Sequence, residues 1–166
     1  CHLHEAPLFI AVDLWNLYVR RAVLFGASLV DLSPSGVEKL DRCHRKVAKL
    51  LLGFSSRCPR PCVLGEIGWL PISSELCGER ARLLGRLLRS SCEHTQFLLD
   101  SGALVADSWV ASTADAIKSY CHGGLPNTTA KWKSLIKQWM VDARSTLALE
   151  TYEACLSHSG LAHYCL

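Results

Sequence analysis

Ser33-Pro34-Ser35-Gly36-Val37-Glu38-Lys39-Leu40-Asp41-Arg42-Cys43-His44-Arg45-Lys46-Val47-Ala48-Lys49-Leu50-Leu51-Leu52-Gly53 decides the fold class. Ser33-Pro34-Ser35 stops whatever precedes it, Ser35 and Glu38 stand three apart as a capping box, and Gly53 is a residue usual just past a helix C-terminus. Between them Val37, Leu40, His44, Val47 and Leu51 recur at steps of three and four, the period of one helix face. Lys39, Arg42, Lys46 and Lys49 repeat with the same spacing on the opposite side, with Arg45 beside them. The stretch predicts an amphipathic helix with a cationic outer stripe. Such a stripe is either a solvated face or a row of charges for a phosphate backbone, which would bind with strong salt dependence and little sequence preference.

Helical signals continue on both sides, and alternating strand patterns are nearly absent. Upstream, the segment from Pro7 to Leu32 carries only Asp13, Arg20, Arg21 and Asp31 as charges. It reads as one core helix, or two joined near Gly26. Its longest uncharged run, Ala22 to Val30, is too short to span a bilayer. Downstream, Pro59, Pro61, Gly65 and Gly68 punctuate Phe54 to Leu70, which predicts a loop with at most one helical turn. A third helix is expected from about Ser74 to Arg89, with Leu76, Leu83, Leu84, Leu87 and Leu88 inward and Arg82, Arg86 and Arg89 on a second basic edge. Helices follow around Thr95 to Asp100, Ala103 to Tyr120, Thr128 to Ala143 and Thr146 to His158. The fold class is therefore all-α, an irregular multi-helix bundle of about six or seven helices. Gly123-Gly124-Leu125-Pro126 is the only internal boundary, dividing a bundle over 1–122 from a helical extension over 127–166 that can pack with it as one domain.

Composition agrees. Of 166 residues, 49% are hydrophobic and 20% charged, which excludes a disordered chain and supplies enough apolar surface for a core without staples. Eighteen Lys and Arg against fifteen Asp and Glu give a formal charge of +3, so nucleic-acid binding has to rest on where the cations sit. The start has neither Met nor a signal-peptide pattern, which is expected of a chain beginning inside a longer reading frame. Nine cysteines, an odd number scattered through helical patterns, predict reduced buried thiols and an intracellular reducing compartment.

Chemistry-bearing motifs are few. There is no phosphate-binding glycine loop and no nucleophile elbow, and the seven Asp stand isolated instead of paired for two-metal chemistry. No catalytic residue and no cofactor is expected. Cys58 and Cys62 lack paired zinc-ligand spacing, as does the cluster Cys1, His2 and His4. Cys155, His158, His163 and Cys165 form only a poor four-ligand candidate, better explained as core thiols and surface histidines. Cys43 with His44 has no orienting third group for a thiol protease.

Val63-Leu64-Gly65-Glu66-Ile67-Gly68-Trp69-Leu70-Pro71-Ile72, followed by Leu83 to Leu88 with interspersed arginines, resembles the Gly-Glu-Leu-Gly-x-x-Pro-Leu signature downstream of the palm in non-LTR (LINE-type) retrotransposon reverse transcriptases. Leu17 to Ala27 is similar to that family's helix ending in Leu-Tyr-Gly-Ala, with Phe25 in place of Tyr. Leu40-Asp41-Arg42 through Leu50-Leu51-Leu52-Gly53 resembles the next helix. Trp132, Lys133, Ile136 and the segment from Tyr152 to Tyr164 are similar to the family's late Trp- and Tyr-containing helices. The resemblance covers about residues 8 to 90 and the remainder loosely. It implies a C-terminal thumb and connector, in which Lys39, Arg42, Lys46 and Lys49 face the duplex backbone while Gly65, Glu66, Gly68 and Pro71 shape a turn. The palm with its catalytic aspartates is absent.

Two expectations follow. One is a non-catalytic module gripping an RNA/DNA hybrid or duplex through Lys39, Arg42, Arg45, Lys46, Lys49, Arg82, Arg86 and Arg89. The other is a retroelement-derived structural subunit packed against protein partners in a larger assembly. The first places the chain in the nucleus, the second in an organelle. Burial of the Leu8 to Leu32 segment favours the first, its exposure the second; acidic partners for the Lys39 to Lys49 stripe weaken the first.

Overall fold

The computed structural model describes residues 7–105, 108–121 and 124–157. The chain opens with α1 (Leu8–Leu14), a π-helical segment (Trp15–Arg20) and α2 (Arg21–Leu29), which run on without a break because the backbone stays right-handed helical at both junctions. This rod is followed by α3 (Pro34–Leu52), α4 (Arg60–Ile67), α5 (Ile72–Leu87), α6 (Glu93–Leu104), α7 (Trp109–Cys121) and α8 (Thr129–Ser157). With the rod counted once, the described residues form seven helices and no strand, the all-α bundle expected. None of these helices is long and apolar enough to cross a membrane.

Three apolar clusters hold the bundle together, and α5 and α8 tie them to one another. Ala81 and Leu84 of α5 meet Leu99 of α6, Ile117 of α7, and Trp132, Leu135 and Ile136 of α8. Ala48 of α3 packs with Val63 and Leu64 of α4, Trp69 and Leu70 of the next turn, and Leu147 of α8. Leu24 and Ala27 of α2 close over Ile72 and Leu76 of α5. The C-terminal helix thus packs along both α4 and α5.

The helix over residues 34–52 forms as its periodicity predicts, with a different cap. Gly36 N–H donates to the Ser33 hydroxyl at 3.2 Å, and Pro34 opens the helix where its missing N–H costs nothing. Ser33, not Ser35, is therefore the N-cap, and Glu38 pairs with Arg42 instead of closing a capping box. Gly53 ends the helix at φ +67.

Four other expectations are corrected. The segment 54–70 contains a two-turn helix, α4, because Pro59 and Pro61 fall at and just inside its N-terminus, where the amide protons are unpaired anyway. Gly68 at φ +71 terminates it: its N–H donates to the Gly65 carbonyl while Trp69 N–H reaches Leu64. Helix α6 runs on to Leu104 and α7 begins only at Trp109, where the Ser108 hydroxyl accepts from Ala111 N–H at 3.1 Å. Residues 129–157 are a single helix, since the Ser145 and Thr146 hydroxyls bond back to the Val141 and Asp142 carbonyls and interrupt nothing.

The largest correction concerns the rod. Its apolar residues were expected in a core, yet only Ala11, Leu24, Ala27 and Ser28 are buried, while Phe9, Tyr18 and Phe25 are each about two-thirds exposed. Hydrophobicity marked it as a surface to be covered, and this chain covers one narrow side. On that side Trp15 stacks near His44 and Trp69, and Arg20 pairs with the buried Glu75. Residues five apart diverge by about 140° on an α-helix; the wider π turn brings Trp15 and Arg20 toward a common face.

Candidate functional site

The cations of α3 are spread along one helix. Lys39, Arg42 and Lys46 are exposed, Arg45 and Lys49 partly buried. Arg42 pairs with Glu38 at 2.9 Å, Arg45 Nε donates to the Asp41 carbonyl, and Lys49 Nζ donates to the Ser56 carbonyl at 2.6 Å. The inner face is built for packing. Trp15 Nε1 donates to His44 Nδ1 at 3.2 Å, and the His44 ring lies 4.6 Å from Trp69. Burial first, and then the Arg20 charge, lower the His44 pKa to about 4, against the opposing pull of Asp41 and the Leu70 carbonyl.

A different arrangement lies between α5 and α8. Gly78 and Gly85, seven residues apart on one face of α5, leave room for Met140 and Trp132 of α8. A Cβ on Gly85 would sit 2.8 Å from the Trp132 indole, and one on Gly78 3.2 Å from the Met140 sulfur. This close approach buries Trp132 and leaves a cleft of about 580 Å³ above the seam. Arg82 and Arg86 enter it from α5, Arg89 from the turn just after that helix, and Lys133, Lys137 and Arg144 from α8. Among the described residues, no carboxylate lines it. Arg82 pairs with Glu79 just outside it, and the Arg89 guanidinium lies 6.0 Å from the Trp132 ring centre.

Two recesses adjoin this cleft on the side of the rod. Arg21 from α2, Arg82 and Glu79 line both, and Arg20 and Glu75 line one of them, so acidic and basic side chains share that surface. Arg20, next to Arg21, is held against Glu75, its Nε 2.6 Å from Oε2. Burial and the nearby Arg144 and Arg21 charges lower the Arg20 pKa. In the cleft itself, cations from two segments of the chain therefore converge where a single helix would disperse them. Such a surface attracts anions and fixes a backbone, but it offers no paired nucleophile and base.

Of the residues expected from sequence, the structure thus brings Arg82, Arg86 and Arg89 to one cleft; the α3 cations line none of the clefts described here. Lys133, Lys137 and Arg144 were missed. Their spacing of four and seven was a visible helical stripe, overlooked beside the apolar track of Trp132, Ile136 and Met140. Of the turn residues, Gly68 and Pro71 flank the α4–α5 junction, and Gly65 faces Thr151, whose hydroxyl would be 2.8 Å from an added Cβ. Glu66 is exposed.

No group of three or more His, Cys, Asp or Glu side chains is placed to hold a metal among the described residues. Cys155 is buried on α8, while His158, His163 and Cys165 lie outside the described residues, as do Cys1, His2 and His4. No protein-family model matches the chain, and no curated protein or solved structure is significantly similar to it. The reverse-transcriptase resemblance therefore stands on its short motifs.

Proposed function

We propose that this chain is a non-catalytic helical module, of reverse-transcriptase descent, that grips the phosphate backbone of nucleic acid at the α5–α8 cleft. The observation that carries this reading is the convergence of Arg82, Arg86, Arg89, Lys133, Lys137 and Arg144 on one cleft without a lining carboxylate. Phosphates bound there would displace condensed counterions, giving salt-dependent and largely sequence-blind affinity. Arginine forks suit phosphate oxygens, and lysines add adjustable point charge.

The test is binding of the full chain to a labelled RNA/DNA hybrid and to duplex DNA across a salt series. Micromolar or tighter binding whose logarithm falls steeply with salt, and which is lost when Arg86, Arg89, Lys133 and Lys137 are changed together to Ala, supports the reading. A folded chain that fails to bind either probe at ~50 mM salt overturns it.

The second reading, a retroelement-derived structural subunit, is favoured by the rod, where Phe9, Leu17, Tyr18, Phe25 and Leu29 are all at least half exposed. Exposed aromatic and aliphatic side chains in such density mark a surface that a protein partner covers. The two readings meet at one edge, because Phe25 and Leu29 of the rod line a recess with Arg82 and Arg86 and Leu17 lines another with Arg82, whereas Phe9 and Tyr18 line neither these recesses nor the cleft. Loss of nucleic-acid binding with retention of a rod-dependent protein complex would leave the second alone.

A further inference from the structure

A recess of about 1050 Å³ lies where α4 and the 54–59 connection meet the C-terminal half of α8. Three thiols line it: Cys58, Cys62 and Cys155. Cys62 on α4 and Cys155 on α8 are 93 residues apart in sequence, both buried, with their Sγ atoms 3.7 Å apart. Cys58 is partly exposed. None of the seven described cysteines is disulfide-bonded.

We propose that Cys62 and Cys155 are a dithiol–disulfide pair, oxidised by a small-molecule disulfide entering this recess, which clips the end of α8 to α4. The pairing follows from how the two helices are held. Close to the thiols along both helices, Gly65 lets Thr151 approach so closely that an added Cβ would lie 2.8 Å from its hydroxyl, and that hydroxyl donates to the Leu147 carbonyl with the Pro61 carbonyl 3.0 Å away. The two helix backbones are thus fixed beside the thiols. Bond formation needs the sulfurs to close from 3.7 Å to about 2.05 Å, a movement within reach of side-chain rotation.

The chemistry balances as ordinary exchange. One thiol gives its proton to solvent and attacks the small disulfide, releasing one small thiol and leaving a mixed disulfide. The second protein thiolate then attacks the protein sulfur of that bond and releases the other small thiol. The two cysteines are oxidised by two electrons, and the small disulfide is reduced to two thiols. Burial, and then the contact with Cys155, push the Cys62 thiol up to about 11, so the exchange is slow at neutral pH and accelerates as pH rises.

The experiment equilibrates the full 166-residue chain with mixtures of oxidised and reduced glutathione, followed by acid quench, alkylation and non-reducing peptide mapping. The expected first intramolecular product joins the Cys62 and Cys155 peptides with loss of two hydrogens, leaving Cys43, Cys58 and Cys77 alkylated. The oxidised chain should melt about 5–15 °C higher, a gain removed by a reducing agent. Cys155→Ser and Cys155→Ala, each checked for unchanged helicity when reduced, should show no such gain. A cross-link of Cys62 to Cys58, only intermolecular cross-links, or no cross-link across the series would each overturn the proposal.

Discussion

Helix α3 and the α5–α8 cleft are both rich in cations, five on the former and six around the latter, and the two sets are arranged differently. On α3 the charges radiate from one helix. Arg42, Arg45 and Lys49 are occupied by Glu38 and by backbone carbonyls, and the face beneath them packs His44 and Ala48 into the core. In the cleft, two helices brought together by Gly78 and Gly85 aim guanidinium and ammonium groups at a shared volume. Charge density at a point, not the number of cations on a helix, is what concentrates an anion, because screening makes charges beyond about 10 Å nearly independent at 0.1 M salt.

The strongest way to break this comparison is to delete each set. Changing Arg86, Arg89, Lys133 and Lys137 to Ala should weaken duplex binding by roughly a hundredfold near physiological salt and flatten the log–log salt slope by about three. Changing Lys39, Arg42, Lys46 and Lys49 to Ala should cost less than about threefold, since these groups are dispersed and partly engaged within the chain. Fluorescence anisotropy over a salt series measures both. Equal losses for the two variants would abolish the distinction and return the α3 stripe to the role its spacing first suggested.

A second test asks whether α3 is chiefly a packing element. His44 is neutral in the folded chain, with its pKa lowered to about 4 by burial and by Arg20, whereas an unfolded histidine titrates near the ordinary 6.5. Between those values the unfolded chain binds the extra proton. Stability should therefore fall as pH drops from about 6.5 to about 4, by up to on the order of 3 kcal/mol, and lose nothing further from this group below that window. Urea melts at pH 7 and pH 4.5 for the wild type and His44→Phe measure it. The variant should lose much of the acid sensitivity; an unchanged pH dependence would mean that His44 is not the group responsible.

How much of this was legible in the sequence depends on how far each signal reaches. The helix over 34–52 and its end at Gly53 were readable because period and stop are local, although its cap was misplaced by two residues, Ser33 and not Ser35 accepting from the Gly36 N–H. Helix α4 was not, because Pro59, Pro61, Gly65 and Gly68 look like loop punctuation until the helix boundaries show which of them sit at its ends. The rod's exposure was hidden for a different reason. Apolar residues record that a surface avoids water, and not whether this chain or another molecule covers it. The basic edge of Arg82, Arg86 and Arg89 was visible in the sequence as steps of four and three. Its partner on α8 becomes part of a site only when Gly85 admits Trp132, a contact 47 residues away in sequence.

That contact gives the smallest effect and the finest test. Gly85→Ala gains up to about 1 kcal/mol of helix propensity but places a methyl 2.8 Å from the rigid Trp132 ring, and overpacking of this kind costs about 1–3 kcal/mol. The net expectation is a loss of about 1 kcal/mol in a urea melt. Because α8 must move away from α5 to relieve the clash, affinity for duplex should also fall by about threefold, through displacement of Lys133 and Lys137 from the α5 arginines. Gly26→Ala on the rod is the matched control. A Cβ there meets nothing within 4 Å, so the substitution should stabilise by about 0.5–1 kcal/mol and leave binding unchanged. Opposite signs for one chemical change would locate the cleft's construction at the α5–α8 seam; stabilisation by both would show that the seam yields, and that the six cations are not held in register by it.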